Sequence, residues 1–359
     1  MIVPQNIGKY EIIEKLGEGA SGWVVKAKQN VIHRIVAIKI LFHNLLKKNP
    51  TLIKRFKKEA IWASSLVHPN IVPIFEIGED KGLYYYTMQY VQGTPMIKCI
   101  KNKNINFKTR LKIFIELCDA LSLAHTKNLI HRDLKPHNVI ITEDYHPVIL
   151  DFGIAKSLRD EEQMTQSGHI LGSAHYMAPE QADSSGVGTY TDIFALGVMI
   201  YEMMTQIRPF EGDSLKDLII KRLQYKKRPD LFRPDSMCKI TPEIPKTLDN
   251  IVFKCIEANP KNRYQNANEL LKELEQLQLE ISLKNVLKNC NSINELPLPV
   301  NKAKSYFYPV IISFIIFTIA LFFSVWTFKQ SDNVLGLKKF QEKGTCVIKK
   351  IWTKFNKNK

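Results

Sequence analysis

The chain has 359 residues, 45% hydrophobic and 24% charged, with a formal net charge of +16. This composition is typical of a globular protein with a buried core. The six cysteines are scattered without a C-x-x-C pair, which argues against a disulfide framework or a zinc site and favours a reducing compartment. Residues 276–359 carry +9 of the net charge, a bias that indicates a membrane surface more than nucleic acid.

The first predicted strand, at residues 10–13, leads into a glycine-rich turn. Gly17, Gly19 and Gly22 have the spacing that lets a hairpin tip bring backbone N–H groups close to an anion. A dinucleotide-binding turn would need a helix directly afterwards, whereas residues 23–27 continue as a strand. The pattern therefore favours a flap above a phosphate group.

The next predicted strand, residues 36–40, carries a lysine on one face. Val36, Ile38 and Ile40 alternate with Ala37 and Lys39, so the two sets are expected on opposite faces. Without the glycine-rich turn, Lys39 would be read about equally well as an edge lysine that reaches solvent. Beneath that turn, it can reach phosphate oxygens.

Residues 52–66 are predicted to form an amphipathic helix. Leu52, Phe56 and Ala63 face the core in this helix, and Glu59 lies among outward-facing lysines. A lone glutamate in a helix is usually solvated, so Glu59 gains significance only from its surroundings.

A strand at residues 83–88 and a buried helix follow. Ile113, Leu117, Leu121 and Ala124 recur at helical spacing and are predicted to be core residues.

Residues 131–151 concentrate groups that can hold metal and phosphate. This stretch of 21 residues contains two carboxylates, Asp133 and Asp151, the carboxamide of Asn138, and the cations Arg132 and Lys135. The apolar runs at 139–141 and 148–150 predict a hairpin with the polar groups at its mouth. Hard oxygen ligands of this kind suit a divalent cation such as Mg²⁺.

Residues 131–138 resemble the catalytic loop of eukaryotic-type protein kinases, and residues 151–153 resemble their magnesium-binding motif. The resemblance covers about residues 8–277 and is closest to the bacterial eukaryotic-like (Hanks-type) serine/threonine kinases. It implies an α+β fold with two lobes. The expected parts are a small β-rich N-lobe at 8–88, a hinge at 89–93 and a larger helical C-lobe at 94–279.

The resemblance also implies an ATP site. Glu59 is expected to pair with Lys39 and to hold it on the nucleotide, and Ala37 lies on the same strand face as Lys39. The backbone of Gln89 and Val91 is expected to bond the adenine. The other expected nucleotide contacts lie in the glycine-rich segment: Leu16, Gly17, Glu18, Gly19, Ala20, Ser21, Gly22, Trp23 and Val24.

For catalysis, the resemblance assigns one role to each polar side chain. Asp133 is expected to accept or orient the proton of the substrate hydroxyl, and Lys135 to neutralise the transferring phosphoryl group. Asn138 and Asp151 are the expected Mg²⁺ ligands. A lysine two residues after the catalytic aspartate resembles the serine/threonine group more than the tyrosine kinases.

Residues 154–176 resemble an activation segment. We expect phosphorylation of Thr165, Ser167 or both by another copy of the chain, with Arg132 as a partner for the added phosphate. Ser173 stands where the family usually has threonine, a departure that keeps the hydroxyl.

Two structural assignments follow in the C-lobe. Residues 191–198 predict a buried helix, and Asp192 is expected to cap it and to bind the backbone of the catalytic loop. Arg263 is expected to pair with Glu180.

The tail is predicted to contain a linker at 280–304, a transmembrane helix at 305–328 and a short basic segment at 329–359. Residues 305–328 are 24 uncharged residues, long enough to cross a hydrocarbon core of about 30 Å. A buried soluble helix is the alternative. Flanking lysines do not support a cytosolic kinase domain, but the need for ATP places it there.

Two rival functions come from other classes. A membrane-tethered pseudokinase would normally have lost Lys39, Asp133 or Asp151, yet all three are present. A small-molecule phosphotransferase would lack the segment 178–180 that helps to build a platform for protein substrates. No motif for reading nucleic acid accompanies the basic tail, so the expected partners are protein substrates, the membrane and a second copy of the chain.

Overall fold

The computed structural model describes residues 3–19, 22–42, 51–152, 174–183 and 186–293, without the side chains of Thr51, Leu52, Arg55, Glu59 and residues 288–293. The chain divides into two units, residues 1–288 and 289–359. Only residues 289–293 of the second unit belong to the described part.

An antiparallel sheet of six strands forms the N-terminal lobe, in the spatial order β1-β2-β3-β4-β6-β5. Its strands are β1 (Asn6–Ile7), β2 (Tyr10–Glu18), β3 (Gly22–Gln29), β4 (Ile35–Leu41), β5 (Ile74–Asp80) and β6 (Leu83–Gln89). Helix α1 (Thr51–Ser64) places the buried side chain of Phe56 in a cluster with Ala37 and Met88.

The alternation predicted for β4 is confirmed. Val36, Ile38 and Ile40 pack in one apolar cluster, whereas Ala37 packs in a second cluster on the other face of the sheet. We call these the outer and inner clusters. The inner cluster also contains Val24 of β3, so β3 and β4 contribute to the same face of the sheet.

Helices dominate the C-terminal lobe. They are α2 (Met96–Cys99), α3 (Phe107–Thr126), α4 (Pro179–Ala182), α5 (Thr189–Thr205), α6 (Leu215–Lys227), α7 (Pro229–Phe232), α8 (Met237–Ile240), α9 (Lys246–Cys255) and α10 (Ala267–Ile293). The predicted core residues Ile113, Leu117, Leu121 and Ala124 of α3 are fully buried, as expected. In α5, every residue from Thr191 to Thr205 is buried, which confirms the predicted internal helix.

A small sheet lies between these elements and carries the polar site. Its strands β7 (Thr94–Pro95), β8 (Val139–Ile141) and β9 (Pro147–Ile149) are antiparallel, and β8 and β9 form the predicted hairpin. The segment before β5 joins this sheet, since the Val72 N–H donates to the Ile149 carbonyl at 2.9 Å. The two lobes therefore share backbone hydrogen bonds beside the site.

Helix α10 extends farther than the sequence indicated. The C-lobe was expected to end near residue 279, but α10 continues to Ile293, so residues 280–293 of the expected linker are helical. Leu277 is buried, whereas residues 282–287 are exposed.

The expected membrane helix, residues 305–328, lies outside the described ranges. Within those ranges, no helix is both long enough and apolar enough to cross a membrane.

Candidate active site

Lys39 and Asp151 form the link between the two lobes at the site. Nζ of Lys39 lies 3.0 Å from Oδ2 of Asp151, and the hydroxyl of Tyr86 donates to Oδ1 of the same carboxylate at 2.9 Å. Burial alone would raise the pKa of Asp151, but the charge of Lys39 and these two hydrogen bonds outweigh it. The pKa of Asp151 therefore lies below its ordinary value, and the carboxylate is ionised at neutral pH.

The catalytic loop gathers the other predicted groups. Nζ of Lys135 lies 3.1 Å from Oδ2 of Asp133, and both side chains are mostly buried. The amide nitrogen of Asn138 donates to the carbonyl of Asp133 at 2.8 Å. The Leu150 N–H donates to the Asn138 carbonyl at 2.9 Å, which ties the loop to the residue just before Asp151. The structure thus brings Asp133, Lys135, Asn138 and Asp151 to one end of the β8–β9 hairpin.

Asp192 supports this loop from below, as the sequence predicted. Its carboxylate accepts hydrogen bonds from the backbone N–H groups of His131 at 2.7 Å and Arg132 at 2.9 Å. Arg132 has a φ of 64°, a left-handed conformation that a non-glycine residue adopts only when its surroundings hold it. The expectation that Asp192 also caps its helix is wrong. Helix α5 begins at Thr189, and the side chain of Thr191 bonds the Gly188 N–H at its start.

His131 is fully buried beneath the site. Its ring lies 4.9 Å from that of Phe152, and its Nδ1 accepts from the Asp133 N–H at 3.3 Å. Burial lowers the pKa of His131, so the imidazole is neutral at physiological pH. Its role in this arrangement is packing and orientation of the loop.

The expected nucleotide contacts divide between the two faces of the sheet. Val24 and Ala37 belong to the inner cluster, the face that also carries Lys39. Trp23 departs from the expected set, because its side chain lies in the outer cluster against the ring of Phe42 at 5.1 Å. Successive side chains of a strand point to opposite faces, so the side chain of Trp23 lies on the face opposite Lys39. Only the backbone of Trp23 can contact a ligand beside Lys39.

The glycine-rich turn is confirmed as a hairpin between β2 and β3. The Gly19 N–H donates to the Gly22 carbonyl at 2.8 Å. A Cβ on Gly22 would lie 1.8 Å from the carbonyl oxygen of Ile40, so only glycine fits where β3 passes β4. A Cβ on Gly17 would meet no atom within 4 Å. The side chain of Leu16 is partly exposed. Glu18 forms an ion pair with Lys15.

At the expected hinge, the Gln89 N–H donates to the carbonyl of Pro73 at 3.0 Å. Within the described ranges, no backbone–backbone hydrogen bond involves Val91. The backbone of Val91 could therefore bond an adenine. The backbone N–H of Gln89, in contrast, already donates to Pro73.

Several predicted residues cannot be placed. Ala20, Ser21, the side chain of Glu59 and the whole of residues 153–173 lie outside the described part of the structure. The Lys39–Glu59 pair and the phosphorylation of Thr165 and Ser167 therefore stay predictions.

The segment that follows residue 173 is fixed from two sides. Arg263 makes a bidentate pair with Glu180, at 2.8 and 2.9 Å, which confirms the predicted ion pair. On the other side, Nε of Arg222 donates to the Met177 carbonyl at 2.8 Å and its Nη2 donates to the His175 carbonyl. The side chain of Gln181 also donates to the Arg132 carbonyl at 2.8 Å, which connects α4 to the catalytic loop.

Tyr86 and Arg222 are functional candidates that the sequence analysis missed. The alternation of side chains in β6 places Tyr86 on the same face as Met88, so the sequence pattern could have indicated that Tyr86 faces the site. Its contact with Asp151 spans 65 residues, and that of Arg222 with Met177 spans 45, so neither follows from local pattern.

The residues present fit a magnesium site. Asp151 supplies carboxylate oxygens, and Asn138 keeps its amide oxygen for a cation because its nitrogen bonds Asp133. The described residues hold no group of three or more acidic, histidine or cysteine ligands. That is compatible with Mg²⁺, which commonly takes one or two protein oxygens and completes its shell with phosphate and water.

Comparisons with known proteins agree with this geometry. The family model described as "Protein kinase domain" matches residues 10–274. A probable serine/threonine-protein kinase of Clostridium perfringens is 37% identical over 270 residues, which cover 75% of this chain and 38% of that protein. The serine/threonine-protein kinase PrkC of Bacillus subtilis is 35% identical over 272 residues, covering 75% of this chain and 41% of PrkC.

The solved kinase domain of Mycobacterium tuberculosis PknI, as its C20A mutant, superposes with a TM-score of 0.58 at 22% identity. That match covers 78% of this chain and 100% of the PknI chain and shows the two-lobed fold. The present chain spans less than half the length of the curated relatives above. With a family model that matches most of its length and relatives above 30% identity, this chain belongs to the protein kinase family.

Proposed function

We propose that this chain is an ATP-dependent protein kinase that transfers the γ-phosphoryl group to serine and threonine hydroxyls of proteins. The observation that carries the proposal is the assembly of Asp133, Lys135, Asn138 and Asp151 on one hairpin, with Lys39 bonded to Asp151 from the opposite lobe. The relatives named above are serine/threonine-protein kinases by their printed names, which supports the substrate class.

Each group has a part that its position supports. Asp133 lies beside Lys135 on the catalytic loop, and it accepts or orients the proton of the attacking hydroxyl. Lys135 carries a positive charge 3.1 Å from that carboxylate, and it would neutralise negative charge that develops on the transferring group. Asn138 and Asp151 would hold Mg²⁺, which when bound supplies charge neutralisation to the phosphate oxygens.

A nucleotide-binding scaffold without turnover is the alternative function. Such a protein needs the sheet, the glycine-rich hairpin and Lys39, but it has no use for Asp133. The retention of Asp133 beside Lys135 favours the enzyme.

The test is phosphoryl transfer by the full-length chain, purified in mild detergent and incubated with radiolabelled ATP and Mg²⁺. We expect label on phosphoserine and phosphothreonine, in the chain itself or in a basic test protein, and a loss of about 10²-fold or more in Asp133→Asn. Asp119→Asn is the matched control, because Asp119 is exposed on α3 and pairs only with His68 among the described residues. Bound nucleotide without any transfer in the unmutated chain would support the scaffold instead.

We further propose that the activation segment is phosphorylated in trans within a transient homodimer. Arg132, beside Asp133, supports this as a cation available to a phosphate on Thr165 or Ser167. Mixing a tagged Asp133→Asn chain with the untagged unmutated chain tests it. Label on the tagged chain at these positions is the expected result, and label confined to the untagged chain would contradict transfer between copies.

We also propose that residues 305–328 cross a membrane and that the kinase domain lies on the cytosolic side, where ATP is available. The uncharged run of 24 residues supports the span. The expected result is a full-length chain that stays in the membrane pellet after alkaline carbonate extraction, with the kinase domain protected from protease added to the outside of intact cells. Extraction by carbonate would contradict the span.

A further inference from the structure

Tyr86 contacts one of the two expected magnesium ligands. Its hydroxyl donates to Oδ1 of Asp151 at 2.9 Å, while Lys39 donates to Oδ2 at 3.0 Å. The two oxygens of this carboxylate are therefore held by two different donors.

The position of the hydroxyl is set by rigid elements. Tyr86 lies opposite Lys39 in the register of β4 and β6, so both side chains leave the same face of the sheet. The ring of Tyr86 is 1% exposed and packs against Phe56 of α1 with the ring centres 5.0 Å apart. A buried ring in contact with a helix and a strand has little freedom, so its hydroxyl points to a fixed place.

This geometry orients the carboxylate of Asp151 and still leaves it able to bind a cation. Each carboxylate oxygen has two lone pairs, so one hydrogen bond to each oxygen leaves a lone pair on each for a cation. Donors on both oxygens also fix the plane of the carboxylate before a cation arrives. Groups that bond a metal ligand in this way usually set its orientation, and their removal commonly costs about 10- to 100-fold in metal affinity or activity.

We propose that Tyr86 is a positioning residue of the metal site, which holds the Asp151 carboxylate in the orientation that binds the divalent cation accompanying the nucleotide. The inference rests on the proposed function, since it assumes that this chain takes a metal-bound nucleotide. Tyr86 touches neither nucleotide nor substrate in this role and acts through Asp151.

The experiment measures metal binding directly. The full-length chain in mild detergent is titrated with Mn²⁺ in the presence of ADP, and free Mn²⁺ is followed by electron paramagnetic resonance. We expect Tyr86→Phe, which removes only the hydroxyl, to weaken Mn²⁺ binding about 10-fold. ADP binding without metal, measured by calorimetry, should stay within about 2-fold and shows that the variant is folded.

Tyr85→Phe is the matched control. Tyr85 is the neighbour of Tyr86 in β6, is also buried, and packs in the outer cluster near Tyr10 on the opposite face. Loss of its hydroxyl should leave Mn²⁺ affinity unchanged.

A double-mutant comparison separates positioning from a general structural effect. In an Asp151→Asn background, where the carboxylate is gone, Tyr86→Phe should produce no further loss of Mn²⁺ affinity. A further loss of similar size would show that Tyr86 acts other than through Asp151 and would overturn the inference.

Other outcomes are equally decisive. Unchanged or tighter Mn²⁺ binding by Tyr86→Phe, with normal binding by the unmutated chain, would overturn the role of Tyr86 and leave the proposed kinase function intact. Failure of the unmutated chain to bind Mn²⁺ with ADP would overturn both.

Discussion

One buried carboxylate, that of Asp192, fixes a loop that lies 60 residues earlier in the chain. It is 1% exposed and accepts from two backbone N–H groups of the catalytic loop and from Nε2 of His125 at 3.0 Å. Each of these donors is buried or partly buried, so removal of the carboxylate would leave them with little access to a replacement acceptor. At the scale of single residues, the geometry of the site depends on such satisfied polar groups.

Asp192→Ala is therefore expected to lower the free energy of unfolding by about 2–4 kcal/mol, because it leaves buried donors without an acceptor. The urea midpoint of the full-length chain measures this change. Asp119→Ala, at an exposed position on α3, should stay within about 0.5 kcal/mol of the unmutated chain. Equal midpoints for the two variants would contradict the role given to Asp192.

The burial of His131 predicts that the free energy of unfolding decreases in acid. Its pKa in the folded protein is lowered by burial from the ordinary value of 6.5, so the unfolded chain takes up the proton first as the pH falls. The stabilising contribution of the neutral ring is complete above about pH 6.5 and decreases below it, by at most about 1.4 kcal/mol per pH unit.

The measurement is the urea midpoint at pH 7.5 and pH 5.5 for the unmutated chain and for His131→Phe, which can still stack on Phe152. The variant should lose less stability between the two pH values than the unmutated chain does. His33→Asn, at an exposed position with positive φ, is the control and should keep the pH dependence of the unmutated chain. An identical pH dependence in all three proteins would contradict the assignment.

At the scale of elements, the side chain of Arg222 attaches helix α6 to the segment before α4. Arg222 is 1% exposed, bonds the carbonyl groups of His175 and Met177, and lies 4.0 Å from the ring of Phe210. Burial lowers the pKa of its guanidinium, yet the carbonyl and aromatic partners favour the charged form. A helix on one side of the lobe thus sets the backbone path of the segment that precedes Pro179 and Glu180.

Arg222→Met keeps much of the volume but removes both hydrogen bonds to this segment. We expect a lower free energy of unfolding, by about 2–3 kcal/mol, because two partly buried carbonyl groups lose their donors. Thermal or urea unfolding measures the change. Lys221→Met on the same helix removes an exposed pair with Asp217 and an exposed hydrogen bond to the Glu211 carbonyl, so it should change stability far less than Arg222→Met. Similar effects of both substitutions would contradict the structural role of Arg222.

At the scale of the whole molecule, the site lies where the two lobes meet, and the inner cluster of the sheet also includes Val148 of β9. Lys39 comes from the sheet and Asp151 follows the β9 strand, 112 residues later. The lobes also share the backbone bonds between the segment at 70–72 and Ile149. A ligand that contacts both sides of this junction stabilises the folded state of the whole unit by mass action.

Saturating ADP with Mg²⁺ is therefore expected to raise the Tm. At a ligand concentration 100 times the Kd, the stabilisation is about 2.7 kcal/mol, which corresponds to a rise of about 5–10 °C for a domain of this size. Differential scanning fluorimetry of the full-length chain measures it. Lys39→Met should abolish most of the rise, while Lys9→Met, which removes an exposed pair with Glu76, should keep it. A rise that survives in Lys39→Met would contradict the placement of the phosphates at Lys39.

The sequence by itself indicated the strands and helices nearest the site and the polar groups of the β8–β9 hairpin. Alternation placed Val36, Ile38 and Ile40 opposite Ala37 and Lys39, because side chains of a strand alternate for steric reasons alone. The groups from Asp133 to Asp151 lie within one short stretch, so their convergence required only a local hairpin. The same locality explains the prediction of the buried helix α5, because residues 191–198 are apolar on nearly all sides of the helix.

Only the tertiary structure decided which distant groups meet. Tyr86 reaches Asp151, and Arg222 reaches Met177, through side chains whose directions depend on how a sheet and a helix pack against other elements. The tertiary structure also decided that the side chain of Trp23 packs in the outer cluster and that α10 continues to Ile293. Local propensity fixes the period of an element, but the packing of apolar faces against one another fixes its rotation and length, and that free energy is distributed over the whole core.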